Sequence, residues 1–289
     1  MNRPIAAVVA VLLTALVVAG CKGNGTDPGG APSPTRKPPP ANLPNSMVAL
    51  GDSITAGVGA CLALSPCPRN SWATGDGTLV NSHYKRILKD NPAIRGHATN
   101  LAVPGATVAD LAGQAAAAVA QRPDYVTILI GANDACRPTI DQITSRARFQ
   151  AEFTAALTAL KTGLPKARVL VVSIPDVYQV WSAAHTRRAA QQVWALGVCP
   201  SLLVNPTSTA AADVARRQRF RDQIDAYDSV LAAACARYGS RCRYDNGTVH
   251  ATPFGIAQLS LLDYFHPNEE GQGQLANLTY PYGSAGSPW

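Results

Sequence analysis

The chain has 289 residues, with 25 Lys and Arg against 18 Asp and Glu, a formal net charge of +7. It is 47% hydrophobic and only 15% charged, which excludes an intrinsically disordered protein. The mildly basic balance comes with no Lys/Arg run and no nucleic-acid-binding motif, so no nucleic-acid partner is expected.

Met1 to Gly20 reads as a secretory signal. Arg3 gives a short positive start, an apolar run extends from Ile5 to Val18, and the end is small-residue. The run is too short for a comfortable membrane span of about 20 residues. The junction Leu16-Val17-Val18-Ala19-Gly20-Cys21 resembles a bacterial lipobox, in which the cysteine becomes the lipidated first residue of the mature protein. An ordinary secreted protein with Cys21 merely near the cut is the competing reading. Lys22 to Asn45 is rich in Gly, Pro and Ser, a flexible and partly extended tether. The expected organisation is a signal at 1–20, a lipidated cysteine and tether at 21–45, and one α/β domain at 46–289.

Along that domain, short apolar runs predict strands at Met47–Leu50, His97–Val103, Tyr125–Ile130, Arg168–Ile174 and Arg241–Tyr244. Helical stretches lie between them at Leu79–Asp90, Val108–Gln121, Ser145–Thr162 and Ala210–Tyr238. A last helix is expected after Pro267, beginning near Asn268-Glu-Glu, where acidic residues suit a helix start. The alternation implies a parallel sheet built from βαβ units. Two irregular segments stand out: Gly57–Thr78, with Trp72, and Asp176–Thr186, with Tyr178 and Trp181. Either could flank the site or simply cover the domain edge.

Seven cysteines occur, and removing Cys21 leaves Cys61, Cys67, Cys136, Cys199, Cys235 and Cys242. An even set in an exported protein reads as disulfides. Short spacings favour Cys61–Cys67 and Cys235–Cys242, which leaves Cys136–Cys199. A zinc site is disfavoured, because no Cys-x-x-Cys pair occurs.

Chemistry concentrates in four blocks: Gly51-Asp52-Ser53, Asn100-Leu-Ala-Val-Pro-Gly105, Gly131-Ala132-Asn133-Asp134 and Asp263-Tyr264-Phe265-His266. Ser53 stands on the turn leaving the first strand's carboxyl end, where open α/β sheets place ligands. The blocks supply a nucleophile, oxyanion donors, a base and an orienter for that base. Together and in this order they resemble the GDSL, or SGNH, hydrolase family, in particular its secreted actinobacterial lipases and esterases. The resemblance implies a flavodoxin-like three-layer α/β/α sandwich with a five-stranded parallel sheet. The Gly-x-Ser-x-Gly elbow of the α/β-hydrolase fold is absent, with Thr55 where its second glycine would stand.

The expected roles follow residue by residue. Ser53 is the nucleophile, His266 its base, and Asp263 accepts the second imidazole N–H. The competing role for Asp263 is a local cap. The resemblance assigns the oxyanion hole to the Ser53 N–H, the Gly105 N–H and the Asn133 side chain. Asp52 and Asp134 are expected to hold local turns, and His83, His97, His185 and His250 to be surface or structural residues. The expected protein is a monomeric, lipid-anchored, extracytoplasmic serine ester hydrolase of lipase or carboxylesterase type. It acts on lipid or short acyl esters at the bacterial envelope, with no metal or other cofactor. The alternatives are an esterase that deacylates envelope glycans and a non-catalytic envelope-binding lipoprotein.

Overall fold

The computed structural model describes residues 43–280. The expected signal segment, Cys21, most of the expected tether and the last residues lie outside it. Five strands form one all-parallel sheet in the order β2-β1-β3-β4-β5: β1 Met47–Gly51, β2 Ala98–Asn100, β3 Tyr125–Leu129, β4 Arg168–Val171 and β5 Cys242–Tyr244. This is the flavodoxin-like order, whose switch point lies between β1 and β3.

The helices are α1 His83–Asp90, α2 Leu111–Gln121, α3 Ala132–Ala135, α4 Arg146–Gly163, α5 Tyr178–Ala184, α6 Arg188–Trp194, α7 Pro200–Leu203, α8 Ala211–Tyr238, α9 Thr248–Ala251 and α10 Glu269–Thr279. Alternate strand residues point to opposite faces, and both faces are covered. Val48, Leu50, Val126, Ile128, Val169 and Val171 pack under α2, α4 and α8. Met47, Ala49, Tyr125, Leu129, Leu170 and Val172 meet α1 and α10 on the other side. The result is the three-layer α/β/α sandwich. Strands buried on both faces explain why each reads as an unbroken apolar run.

Several boundaries differ from the sequence expectation for local reasons. β2 ends at Asn100 rather than Val103, where the Asn100 side chain accepts the Ala102 N–H at 3.1 Å, although Leu101 N and Val103 N still bond the Ala49 and Gly51 carbonyls of β1. β4 stops at Val171, because the next free N–H groups go to carboxylates: Ser173 to Asp245 at 3.0 Å and Ile174 to Asp228 at 2.8 Å. α1 begins at His83 rather than Leu79, where Ser82 caps it by accepting from Lys85 N. The Asp176–Thr186 segment is not irregular: Asp176 accepts the Tyr178 N–H at 3.1 Å, and the chain turns into α5. Gly57–Thr78 is irregular apart from a single turn at Pro68–Asn70. Its Trp72 is fully buried and donates to Thr55 Oγ1 at 3.2 Å, wedged beneath the Ser53 turn.

Disulfides join Cys61 to Cys67, Cys136 to Cys199 and Cys235 to Cys242. Three such bonds suit an oxidising, extracytoplasmic compartment. Among the described residues no helix is long and apolar enough to cross a membrane. None of their His, Cys, Asp and Glu side chains form a group that could hold a metal ion.

Candidate active site

The site is built where β1 and β3 run side by side, with Gly51 opposite Leu129. β1 ends because Gly51 takes φ +146°, a conformation that favours glycine. A Cβ there would also lie 2.2 Å from the Leu129 carbonyl oxygen. Gln114 of α2 locks this strand end: its Oε1 accepts the Gly51 N–H at 2.7 Å and its Nε2 donates to the Gly51 carbonyl at 2.9 Å. The chain then turns, with Ala56 N bonding Asp52 O and Val58 N bonding Ser53 O. Ser53 is left at the sheet's carboxyl edge, 8% exposed.

His266 arrives from the far end of the chain. Its Nε2 is 2.9 Å from Ser53 Oγ, and its Nδ1 is 2.5 Å from Asp263 Oδ2. The other Asp263 oxygen accepts the backbone N–H groups of Phe265 and His266 at 3.0 and 3.1 Å. Asp263 therefore holds its turn and the imidazole at once, so the local cap and the orienter are one residue. The turn is fixed further by Trp194, whose indole N–H donates to the Asp263 carbonyl at 3.1 Å. The carboxylate is 3% exposed, so solvent competes little for the imidazole N–H.

Gly105 follows β2 with φ +81°, and its missing Cβ would face open space. Asn133 opens α3 behind Gly131 and spends one amide hydrogen on the Ala106 carbonyl at 2.9 Å. Its second amide hydrogen, with the Ser53 and Gly105 N–H groups, has no partner among the described residues. Ser53, Gly105, Asn133 and His266 line one broad groove. A narrower, mostly apolar slot opens on Ser53, Asn133 and His266 from the side of Ile54, Val180 and Phe254.

The supporting acids are buried. Asp52 accepts the Ile54 N–H at 2.9 Å, a local turn as expected. Burial lifts its carboxyl to about 7, against the pull of that N–H and of His266. Asp134 departs from expectation, because it does not close its own turn. It accepts the Val108 N–H at 2.9 Å and so ties the Asn133 helix to the chain just beyond Gly105. Burial raises its carboxyl to about 6.

Sequence reasoning missed Gln114 and Gly59, and it placed Asn100 at the head of its block without a role. Asn100 donates to the Thr55 carbonyl at 2.8 Å and supports the Ser53 turn from β2. Gly59 has φ +82°, and a Cβ there would sit 2.9 Å from the His266 Cβ. The repeated glycines of Gly57-Val58-Gly59 were its only sequence signal.

The model of the GDSL-like lipase/acylhydrolase family matches residues 49–274. The chain belongs to that family. As a GDSL acylhydrolase it is a serine ester hydrolase. No curated protein matches it. Among solved structures it is similar to an alpha/beta hydrolase enzyme from the metagenome of Lake Arreo, at 20% identity and TM-score 0.49, covering 81% of this chain and 92% of that one. It is also similar to an extracellular lipase from Streptomyces rimosus, at 19% identity and TM-score 0.47, covering 80% and 98%. A family 3 carbohydrate esterase from Clostridium thermocellum has 14% identity and TM-score 0.47, covering 81% and 92%.

Proposed function

We propose that this GDSL acylhydrolase cleaves lipid or short acyl esters through Ser53, with His266 as base and Asp263 as its orienter. The observation that carries the reading is the unbroken relay from Ser53 Oγ through His266, 2.9 Å and then 2.5 Å to Asp263. His266 Nε2 takes the Ser53 proton as Oγ attacks the ester carbonyl. The Ser53 and Gly105 N–H groups and the free Asn133 amide hydrogen receive the charge that develops on the carbonyl oxygen. His266 returns the proton to the departing alkoxide. A water then repeats the sequence on the acyl-enzyme and releases the carboxylic acid.

The direct test is labelling with a fluorophosphonate followed by peptide mapping, alongside hydrolysis of nitrophenyl esters of increasing chain length. Label on Ser53 and turnover lost in Ser53→Ala are expected. A wild-type protein that neither labels nor turns over any ester would leave the fold as a binding lipoprotein. Turnover of acetylated glycan alone would move the substrate to the envelope polysaccharide.

The proposed location is the envelope surface, held by a lipid on Cys21 and the tether beyond it. The lipobox-like junction supports this. Cys21→Ser should abolish fatty-acid labelling and move the protein from the membrane to the soluble fraction. Labelling that persists would put the anchor elsewhere.

A further inference from the structure

The broad groove beside Ser53 holds an arginine that the reaction described so far does not use. Arg137 lines it four residues after Asn133. Its guanidinium has no hydrogen bond or ion pair among the described residues, and its Nε is buried without a partner. Four other arginines are engaged on carboxylates, Arg221 on Asp176, Arg219 on Asp141, Arg148 on Glu152 and Arg216 on Asp213, and ones without such a partner, such as Arg69, Arg95 and Arg122, are exposed, whereas Arg137 is half-buried. Among the described residues Arg137 makes no ion pair with the acids around it, although its charge acts on Asp134, one of whose oxygens is buried without a partner. Asp263 is bound to His266, and Asp134 holds the Val108 N–H.

The backbone that carries Arg137 is also held firmly. The preceding residue is in the Cys136–Cys199 disulfide. Arg137 N donates to Ser201 Oγ at 3.1 Å, and Ser201 N returns to the Arg137 carbonyl at 3.0 Å. Ser201 Oγ also donates to the Ala135 carbonyl at 2.6 Å. An unpaired guanidinium on so fixed a base is preorganised for an anion.

The surroundings narrow the class of anion. The groove walls near Arg137 are apolar, including Leu64 and Leu196, which are 51% and 85% exposed. A fully hydrated anionic sugar would gain little from such walls. An amphiphile that carries a phosphate would gain from both. The narrow slot on the other side of Ser53 is apolar and suits an uncharged chain.

We propose that Arg137 grips the phosphate of a glycerophospholipid whose acyl chain enters the Ile54–Val180–Phe254 slot. Hydrolysis consumes one water and yields a fatty acid and a lysophospholipid. The planar fork of arginine matches two phosphate oxygens, which the point charge of lysine does less well. The inference rests on Ser53 being the nucleophile, and the test separates the two.

The experiment compares wild type with Arg137→Ala, Arg137→Gln and Arg137→Lys. The substrates are dihexanoyl phosphatidylglycerol and dihexanoylglycerol, which share acyl chains and differ in the phosphate; both are used below aggregation. Acetylated polyuronate is a third substrate, and glycerol 3-phosphate is a competing anion. Wild type should prefer the phospholipid. Arg137→Ala and Arg137→Gln should reduce that preference on the order of tenfold, the scale of one charge-assisted contact, mainly through KM. Arg137→Lys should recover part of it. Glycerol 3-phosphate should inhibit wild type competitively and the alanine variant much less. Equal losses on phospholipid and neutral diester would make Arg137 a structural residue and overturn the proposal. Arg137-dependent turnover of polyuronate without phospholipid turnover would overturn it in favour of an acidic glycan. If wild type hydrolyses neither lipid nor any nitrophenyl ester, the Ser53 reading itself fails.

Discussion

Asn133 shows how much chemistry one side chain can carry while held by one bond. Its amide donates once to Ala106, which fixes the side chain and leaves a hydrogen for the substrate oxygen. Asn133→Ala should therefore lower kcat by about 10²–10³-fold with little change in KM, the cost of one lost oxyanion donor. A rise in KM alone would make Asn133 a substrate-binding residue. Asp263→Asn tests a different link. Its carboxylate receives the imidazole N–H at 2.5 Å as well as two backbone N–H groups. An amide could keep the turn but would favour the wrong imidazole tautomer, a defect that can cost about 10⁴-fold. Steady-state kinetics on one soluble ester check both, and an Asp263→Asn enzyme with unchanged kcat would reduce the site to a Ser53–His266 dyad. The residues in these roles were legible because each ends a strand or begins a turn with a distinctive residue type. Gln114 was not legible, and neither was the contact that Asn100 makes. Both residues work through contacts 63 and 45 residues away in sequence, and no local spacing marks such a partner.

At the scale of elements, the sheet and the long helices were readable and the short ones were not. α8 spans 28 residues and α4 spans 18, long enough for apolar positions to recur. α5 and α6 have 7 residues each, about two turns, too few for a period to stand out. α5 forms because other elements hold it. Arg221 bonds Asp176 at 2.9 Å and stacks over Tyr178, while Arg217 lies over Trp181 at 4.6 Å. The segment between the oxyanion helix α3 and α7 has a covalent brace instead, since Cys136 and Cys199 stand 63 residues apart. Replacing both with serine should cost about 2–4 kcal/mol of stability. It should also lower kcat in conditions where the protein is still folded, because Cys136 follows directly on α3. Denaturant titration and kinetics on the same preparation check this. A variant that loses stability but keeps full kcat while folded would mean the brace serves the fold alone.

For the whole molecule, pH acts on stability through buried groups, most of them remote from Ser53. On the acid side buried groups oppose one another, His83 on one hand and the raised carboxyls Asp52 and Asp134 on the other. His83 bonds Tyr125 and Thr279, and burial holds it neutral, down at about 3. An unfolded chain would take up that proton below its ordinary 6.5, so His83 removes stability as pH falls from 6.5. Asp52 is raised to about 7, so the folded form holds a proton that the unfolded form loses above 3.8. Its contribution therefore falls as pH rises between those values. The alkaline side is simpler. His250 sits between Asp228, 2.9 Å from Nδ1, and Asp225, 3.0 Å from Nε2. The Asp228 bond raises it to about 9, against the cost of burial. Because the folded value lies above the unfolded 6.5, its stabilisation is complete below 6.5 and is lost as pH rises through about 9. Buried tyrosines such as Tyr125, raised well above 10, add a further loss only beyond that pH. Wild type should therefore lose stability steadily between pH 6.5 and 9. His250→Gln should be less stable at pH 6.5, show a flatter slope, and converge on wild type above pH 9. Urea unfolding at a series of pH values reads this directly. Parallel curves for the two proteins would mean that His250 folds as a neutral residue and that its carboxylate partners contribute no charge pairing.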